Sequence, residues 1–216
     1  MKKLLALIIL GLCVQTFAAP LVAKTTDRET LLKCVNDKCS HANMASFIIA
    51  KIDKKEGMDT YKGLKDTYVK INGSLDYKFY SVLIMNPLFK DFRIDSWNEV
   101  KIKDEEQFAG LKMMLLRSPK GYGLDISKDE SWKEIYKIVV NNNINNGKQF
   151  LRSVEFLIKN DVKVLKDEKI KAYTEIYEKY LPVIIDEQNL KQNEKYFTLA
   201  LSKISLKLKA LGVTVK

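Results

Sequence analysis

Apolar residues recur along most of this 216-residue chain at spacings of three and four, which places them on one face of an α-helix. Met44, Phe47, Ile48 and Ile52 form one such face, and Phe108, Leu111 and Leu115 another. Trp132, Ile135, Tyr136 and Val139 repeat the pattern, as do Phe150, Leu151, Val154 and Leu157. The stripe Ile170, Tyr173, Ile176, Tyr177 and Tyr180 marks a further helix, expected to end near Pro182 because the residue before a proline is pushed out of the helical region. Phe197, Leu201, Ile204, Leu208 and Leu211 line the last helix, with Lys191, Lys195, Lys203 and Lys209 mostly elsewhere and Gly212 as its stop. Such stripes are far more often core than ligand surface, so the pattern predicts a mainly α fold.

Polar residues punctuate these faces. Thr26-Asp27-Arg28-Glu29 has the spacing of a capping box with Thr26 as the cap, and Ser96 with Glu99, Asp104 with Gln107 and Ser127 with Glu130 repeat it. Each predicts a helix start. The first helix is expected to break at Asn36-Asp37 and the second to stop at Gly57, while the asparagine-rich stretch from Asn141 to Gly147 reads as an interhelical loop. One region is ambiguous. Around Asn72-Gly73 the β-branched and aromatic residues of 67–84 suit a small β-hairpin, but Leu75–Met85 also suits a buried helix stopped by Asn86-Pro87.

The N-terminus follows a different rule. Met1-Lys2-Lys3 precedes an uncharged run from Leu4 to Val14, and Thr16-Phe17-Ala18 then supplies small residues, the architecture of a cleavable signal peptide. The run is shorter than the roughly 20 residues that span a bilayer. Cleavage after Ala18 leaves residues 19–216 as a single helical domain, exported to the periplasm or beyond. A lipoprotein anchored through Cys13 is the rival reading, and bulky Leu12 before that cysteine opposes it. No later stretch is long and apolar enough to cross a membrane.

Export changes how charge and cysteine are read. Lys and Arg number 37 against 27 Asp and Glu, a formal charge of +10 that stays strongly positive after Lys2 and Lys3 leave. Outside the cytoplasm that surplus favours an anionic partner such as a cell-wall polymer, a lipid head group or an acidic protein, with nucleic acid not expected. Of three cysteines, Cys13 departs with the leader, leaving Cys34 and Cys39 to form one small disulfide in an oxidising compartment. Their spacing is wider than that of thiol oxidoreductases. So short a loop stabilises by only on the order of 2 kcal/mol. His41 makes a metal triplet with the two cysteines conceivable, but the disulfide would consume both thiols, so no metal is expected.

Having one histidine removes most hydrolase chemistry, because any triad would have to use His41. Glycine-rich phosphate loops are also missing from the sequence, and no cofactor is implied. Carboxylate-only chemistry survives, chiefly glycoside cleavage by an acid of raised pKa. Asn143-Ile144-Asn145-Asn146-Gly147-Lys148-Gln149-Phe150-Leu151 resembles the helix entry of lysozyme-like lytic transglycosylases, and Ser118-Pro119-Lys120-Gly121-Tyr122-Gly123-Leu124 is loosely similar to the stretch before their Gly-Leu-Met-Gln turn. The resemblance implies Glu105 or Glu106 as the acid. Asp125-Ile126 replaces the Met-Gln, neither glutamate precedes a serine, and Glu105-Glu106-Gln107 reads equally as the acidic first turn of a helix. The leading expectation is therefore an exported, non-catalytic helical protein that binds through a basic surface. A peptidoglycan-cleaving enzyme and a lipid carrier with a hollow helical core are the alternatives.

Overall fold

The computed structural model describes residues 22–103, 105–185 and 194–214, without the side chains of 183–185. The expected signal peptide, residues 1–18, and the proposed cap Asp104 lie outside them. The chain groups into two compact helical units, one up to Ile102 and one from Lys103, a division that the hydrophobic pattern does not mark. No strand occurs among the described residues.

The N-terminal unit contains α1 (Arg28–Asn36), α2 (Ala42–Ile52), α3 (Tyr61–Asn72), α4 (Tyr77–Met85) and α5 (Arg93–Val100), with a 3-10 turn over Pro87–Phe92. The break at Asn36 falls where expected, but the cap of α1 is Asp27 rather than Thr26: its carboxylate accepts the Thr30 N–H at 3.1 Å. The hairpin expected over 67–84 is α3 and α4 instead. Gly73, at φ 87, supplies the left-handed residue that a hairpin turn would also need, but uses it to end α3, and Asp76 opens α4 by accepting the Phe79 N–H at 3.2 Å. The stop at Asn86-Pro87 holds.

Two expected boundaries move. α2 ends at Ile52, not at Gly57, because Lys54 takes the left-handed conformation (φ 49) and closes a Schellman motif, with Lys55 N–H bonded to the Ala50 carbonyl at 3.0 Å. Ser96 opens no helix. α5 begins at Arg93 and the Ser96 hydroxyl donates to the Phe92 carbonyl at 2.8 Å, while its supposed capping partner Glu99 is bound by Lys65 and Tyr80, each at 2.8 Å.

Rings fill this unit's centre. Phe47 stacks on Phe89 at 5.3 Å and meets Tyr68 edge-on at 5.1 Å, and Phe79 lies 5.0 Å from Tyr68. Beside them, burial alone would raise the Glu99 carboxyl, but the hydrogen bonds from Lys65 and Tyr80 prevail and hold it below the ordinary carboxylate range. A depressed folded-state pKa contributes stability above the unfolded value, about 4.3, that is lost as pH falls through the folded one. Wild-type protein should therefore lose its stability advantage over a Glu99→Gln variant as the pH falls below the unfolded-state value and through the lower folded-state one, read as converging urea midpoints. Parallel pH profiles would show that Glu99 gains nothing on folding.

The C-terminal unit contains α6 (Glu106–Arg117), a 3-10 turn (Pro119–Tyr122), α7 (Lys128–Asn141), α8 (Gly147–Lys159), α9 (Lys166–Ile185) and α10 (Glu194–Ala210). Ser127 caps α7 as its spacing predicts, accepting the Glu130 N–H at 3.1 Å, and the asparagine-rich stretch is the loop from α7 to α8. The expected faces are buried: Phe108, Leu111 and Leu115 on α6, Trp132, Ile135 and Val139 on α7, Phe150 and Val154 on α8, Phe197 and Ile204 on α10. α9 does not stop at Pro182 but continues to Ile185. The turn before the proline is fixed from outside: Lys179 donates to the Val140 and Asn142 carbonyls at 2.6 and 3.0 Å, and the Tyr180 hydroxyl lies 2.9 Å from the carbonyls of Val139 and Asn142. These bonds also satisfy carbonyls that the end of α7 leaves open.

Candidate functional site

The N-terminal unit holds a groove of about 700 Å3 beside the end of α2. Its polar walls are Lys51, Lys54 and Lys55 with Glu56 and Asp59, and Ile52, Met58 and Leu88 supply apolar surface. The arrangement follows from local structure. Lys51 is in the last turn of α2, and its ammonium donates to the Met58 carbonyl and lies 5.1 Å from the centre of the Phe92 ring, so it is aimed rather than free. The left-handed turn at Lys54 then reverses the chain and sets exposed Lys54 and Lys55 beside the groove. The loop is pinned beneath by the approach of Gly57 to Gly63, where an added side chain on Gly63 would stand 2.1 Å from the Gly57 carbonyl oxygen.

Three ammonium groups against two carboxylates, around an apolar wall, suit an anionic group attached to carbon-rich structure. They do not suit acid–base chemistry, since the lysines have no enclosed partner base and Glu56 and Asp59 are exposed. The lysine cluster is not among the residues that the sequence singles out, where only the overall positive surplus is read. Its available signal was Lys51, Lys54 and Lys55 at a helix end.

The residues singled out in the sequence lie elsewhere. Cys34 and Cys39 are joined across a Cα separation of 5.1 Å. They occupy the two ends of a Schellman motif at the end of α1, in which the Cys39 N–H bonds the Cys34 carbonyl at 2.9 Å and Lys38 is left-handed at φ 49. This is the geometry of a clip on a helix end. His41 follows, its Nδ1 2.6 Å from the hydroxyl of neighbouring Ser40. Partial burial, with the positive charge of Lys78, holds this imidazole below its ordinary pKa. Among the described residues no group of three or more His, Cys, Asp or Glu is gathered as metal ligands.

Glu105 and Glu106 stand at the start of α6, both exposed, and Glu105 makes no side-chain cap. The charge of Glu106 is felt by Lys179 and Tyr180 on α9, which places it near the loop after α7. That is the neighbourhood of the transglycosylase-like stretch, but the enclosure that a general acid needs is absent at both glutamates. The stretch itself is a capped helix entry: Asn146 accepts the Gln149 N–H at 3.0 Å, and Gln149 reaches the Gly110 carbonyl at 2.8 Å. No family model matches the chain, and neither the curated proteins nor the solved structures give a significant match.

Proposed function

We propose that this chain is an exported, non-catalytic binding protein that takes an anionic partner through the lysine-lined groove of its N-terminal unit. The observation that carries the reading is the convergence of Lys51, Lys54 and Lys55 on a groove of about 700 Å3 with apolar surface at Ile52, Met58 and Leu88. Export rests on the signal-peptide pattern of residues 1–18, and it restricts the partner to a wall polymer, a lipid head group or an acidic protein. The exposed positions of Glu105 and Glu106 weigh against the transglycosylase reading. A hollow carrier is likewise disfavoured, since the aromatic faces that would line it pack on one another, Phe150 lying 4.3 Å from Tyr180 and 5.0 Å from Phe197.

The test is to incubate residues 19–216 with isolated cell wall, sediment it, and analyse the supernatant by mass spectrometry. Retention of the wild type that a Lys54→Glu/Lys55→Glu variant loses is the expected result, both lysines being exposed and free to change without disturbing the core. Retention that this variant keeps would remove the groove from the reading. Release of wall fragments, abolished by Glu105→Gln or Glu106→Gln, would replace binding with catalysis.

A further inference from the structure

One end of the C-terminal unit presents aliphatic side chains to solvent on a rigid support. α8 and α10 run parallel: Phe150 stacks on Phe197 at 5.0 Å, Lys203 lies 3.4 Å from Glu155, and Lys207 lies 2.8 Å from Asp161. The loop from α8 to α9 therefore shares this end with the final turns of α10. Asp161 anchors the loop. It is 4% exposed, accepts the Tyr173 hydroxyl at 2.9 Å as well as Lys207, and has Lys169 at 4.0 Å, while the Val164 N–H closes a turn onto its carbonyl at 3.1 Å.

Beyond that anchor Val162 is 82% exposed and Leu165 69%, and Leu206, beside Lys207 on α10, is 68% exposed. Exposed Lys159, Lys163 and Lys166 flank the two loop residues. Lys163 lies 3.7 Å from Asp129, and the acidic pair Asp167 and Glu168 sits in the first turn of α9, where the positive end of the helix dipole offsets it. With Asp161 and its partners Lys169 and Lys207 included, the charges named at this end are five lysines against four carboxylates, a small positive balance.

We propose that this tip docks on an anionic lipid bilayer, with Val162 and Leu165 entering the interface and Lys159, Lys163 and Lys166 meeting the head groups. The shape decides between a membrane and a protein. A protein partner needs a recess that fits the tip and a contact of about 800 Å2 per side, whereas a bilayer accepts a protruding aliphatic anywhere and lysine stems extend along it to reach phosphate. Attachment is peripheral, as no helix among the described residues is long and apolar enough to cross a membrane. The residues of this surface belong to the C-terminal unit and those lining the groove to the N-terminal unit, so each set can be altered without changing the other.

Flotation of the processed chain with phosphatidylcholine vesicles, with and without phosphatidylglycerol, tests this. Wild-type protein should float with the phosphatidylglycerol vesicles, and Val162→Ser/Leu165→Ser should lower its partition coefficient about tenfold or more, with an unchanged far-UV dichroism spectrum. Lys163→Glu/Lys166→Glu should weaken binding to the anionic vesicles only. A Lys54→Glu/Lys55→Glu variant should float like wild type, which separates this surface from the groove. The proposal is overturned if wild type floats no better with phosphatidylglycerol than without, if the serine variant binds unchanged, or if only the groove variant loses binding.

Discussion

Replacing Asp161 with alanine is expected to destabilise the C-terminal unit by about 3 kcal/mol, more than any surface ion pair in this protein should contribute. The carboxylate sits among Tyr173, Lys207 and Lys169, whose side chains are 26% exposed for Lys207 and 16% for Lys169. Removing it leaves two partly buried lysines without a counter-charge and the buried Tyr173 hydroxyl without its acceptor. Burial, the larger cause of the raised Tyr173 hydroxyl pKa, persists without Asp161, so in the variant that phenol remains a donor that has lost its acceptor. Denaturation by urea would measure the loss. A double-mutant cycle sharpens the argument: Asp161→Ala/Lys207→Met should lose less than the sum of its parts, because the second change removes a charge that the first strands. A loss below about 1 kcal/mol would mean that both lysines escape to water, so that Asp161 does not anchor the loop.

Asp161 also shows where sequence reading stops. An aspartate between Asn160 and Val162, in a stretch full of lysines, reads as solvated surface, and its burial is decided by Tyr173, Lys169 and Lys207 on two other helices. Features set by neighbouring residues were legible: the apolar faces of the helices, Ser127 as a cap, the loop ending at Gly147, the break at Asn36. Features set by distant residues were not. Ser96 and Glu99 have capping-box spacing, yet Lys65 and Tyr80 claim the glutamate. Asn72-Gly73 announces a left-handed residue without saying whether a hairpin or a helix end will use it, and burial of Phe79, Val82 and Leu83 in the aromatic core selects the helix. The groove was least visible because it depends on Lys54 adopting a left-handed backbone that sequence assigns to glycine. Of the two glutamates read as an acidic first turn, Glu106 is in it, whereas Glu105 is the extended residue just before the helix, in the place the reading gave to Asp104.

The approach of Gly63 to Gly57 links the stability of the N-terminal unit to the shape of its groove. Gly63 lies in the first turn of α3, its N–H bound at 3.0 Å by the Thr60 hydroxyl, so its position is fixed by the helix cap. A methyl group there would meet the Gly57 carbonyl oxygen at 2.1 Å and the Gly57 Cα at 2.7 Å, and backbone cannot rotate aside as a side chain can. Gly63→Ala should therefore cost about 3 kcal/mol, the upper part of the range for overpacking, and displace the loop bearing Met58. Gly73→Ala is the matched control. It meets nothing within 4 Å but must hold φ 87, so it should cost only the left-handed penalty, about 1 kcal/mol. Urea midpoints ranking Gly63→Ala below Gly73→Ala would establish the steric contact, and equal midpoints would show that the two glycines stand further apart. Because the Met58 carbonyl holds the Lys51 ammonium, the same variant should weaken anion binding at the groove while leaving Lys54 and Lys55 in place. A Gly63→Ala protein that is destabilised yet binds as before would then separate the packing of this loop from recognition, and would put the burden of binding on Lys54 and Lys55 alone.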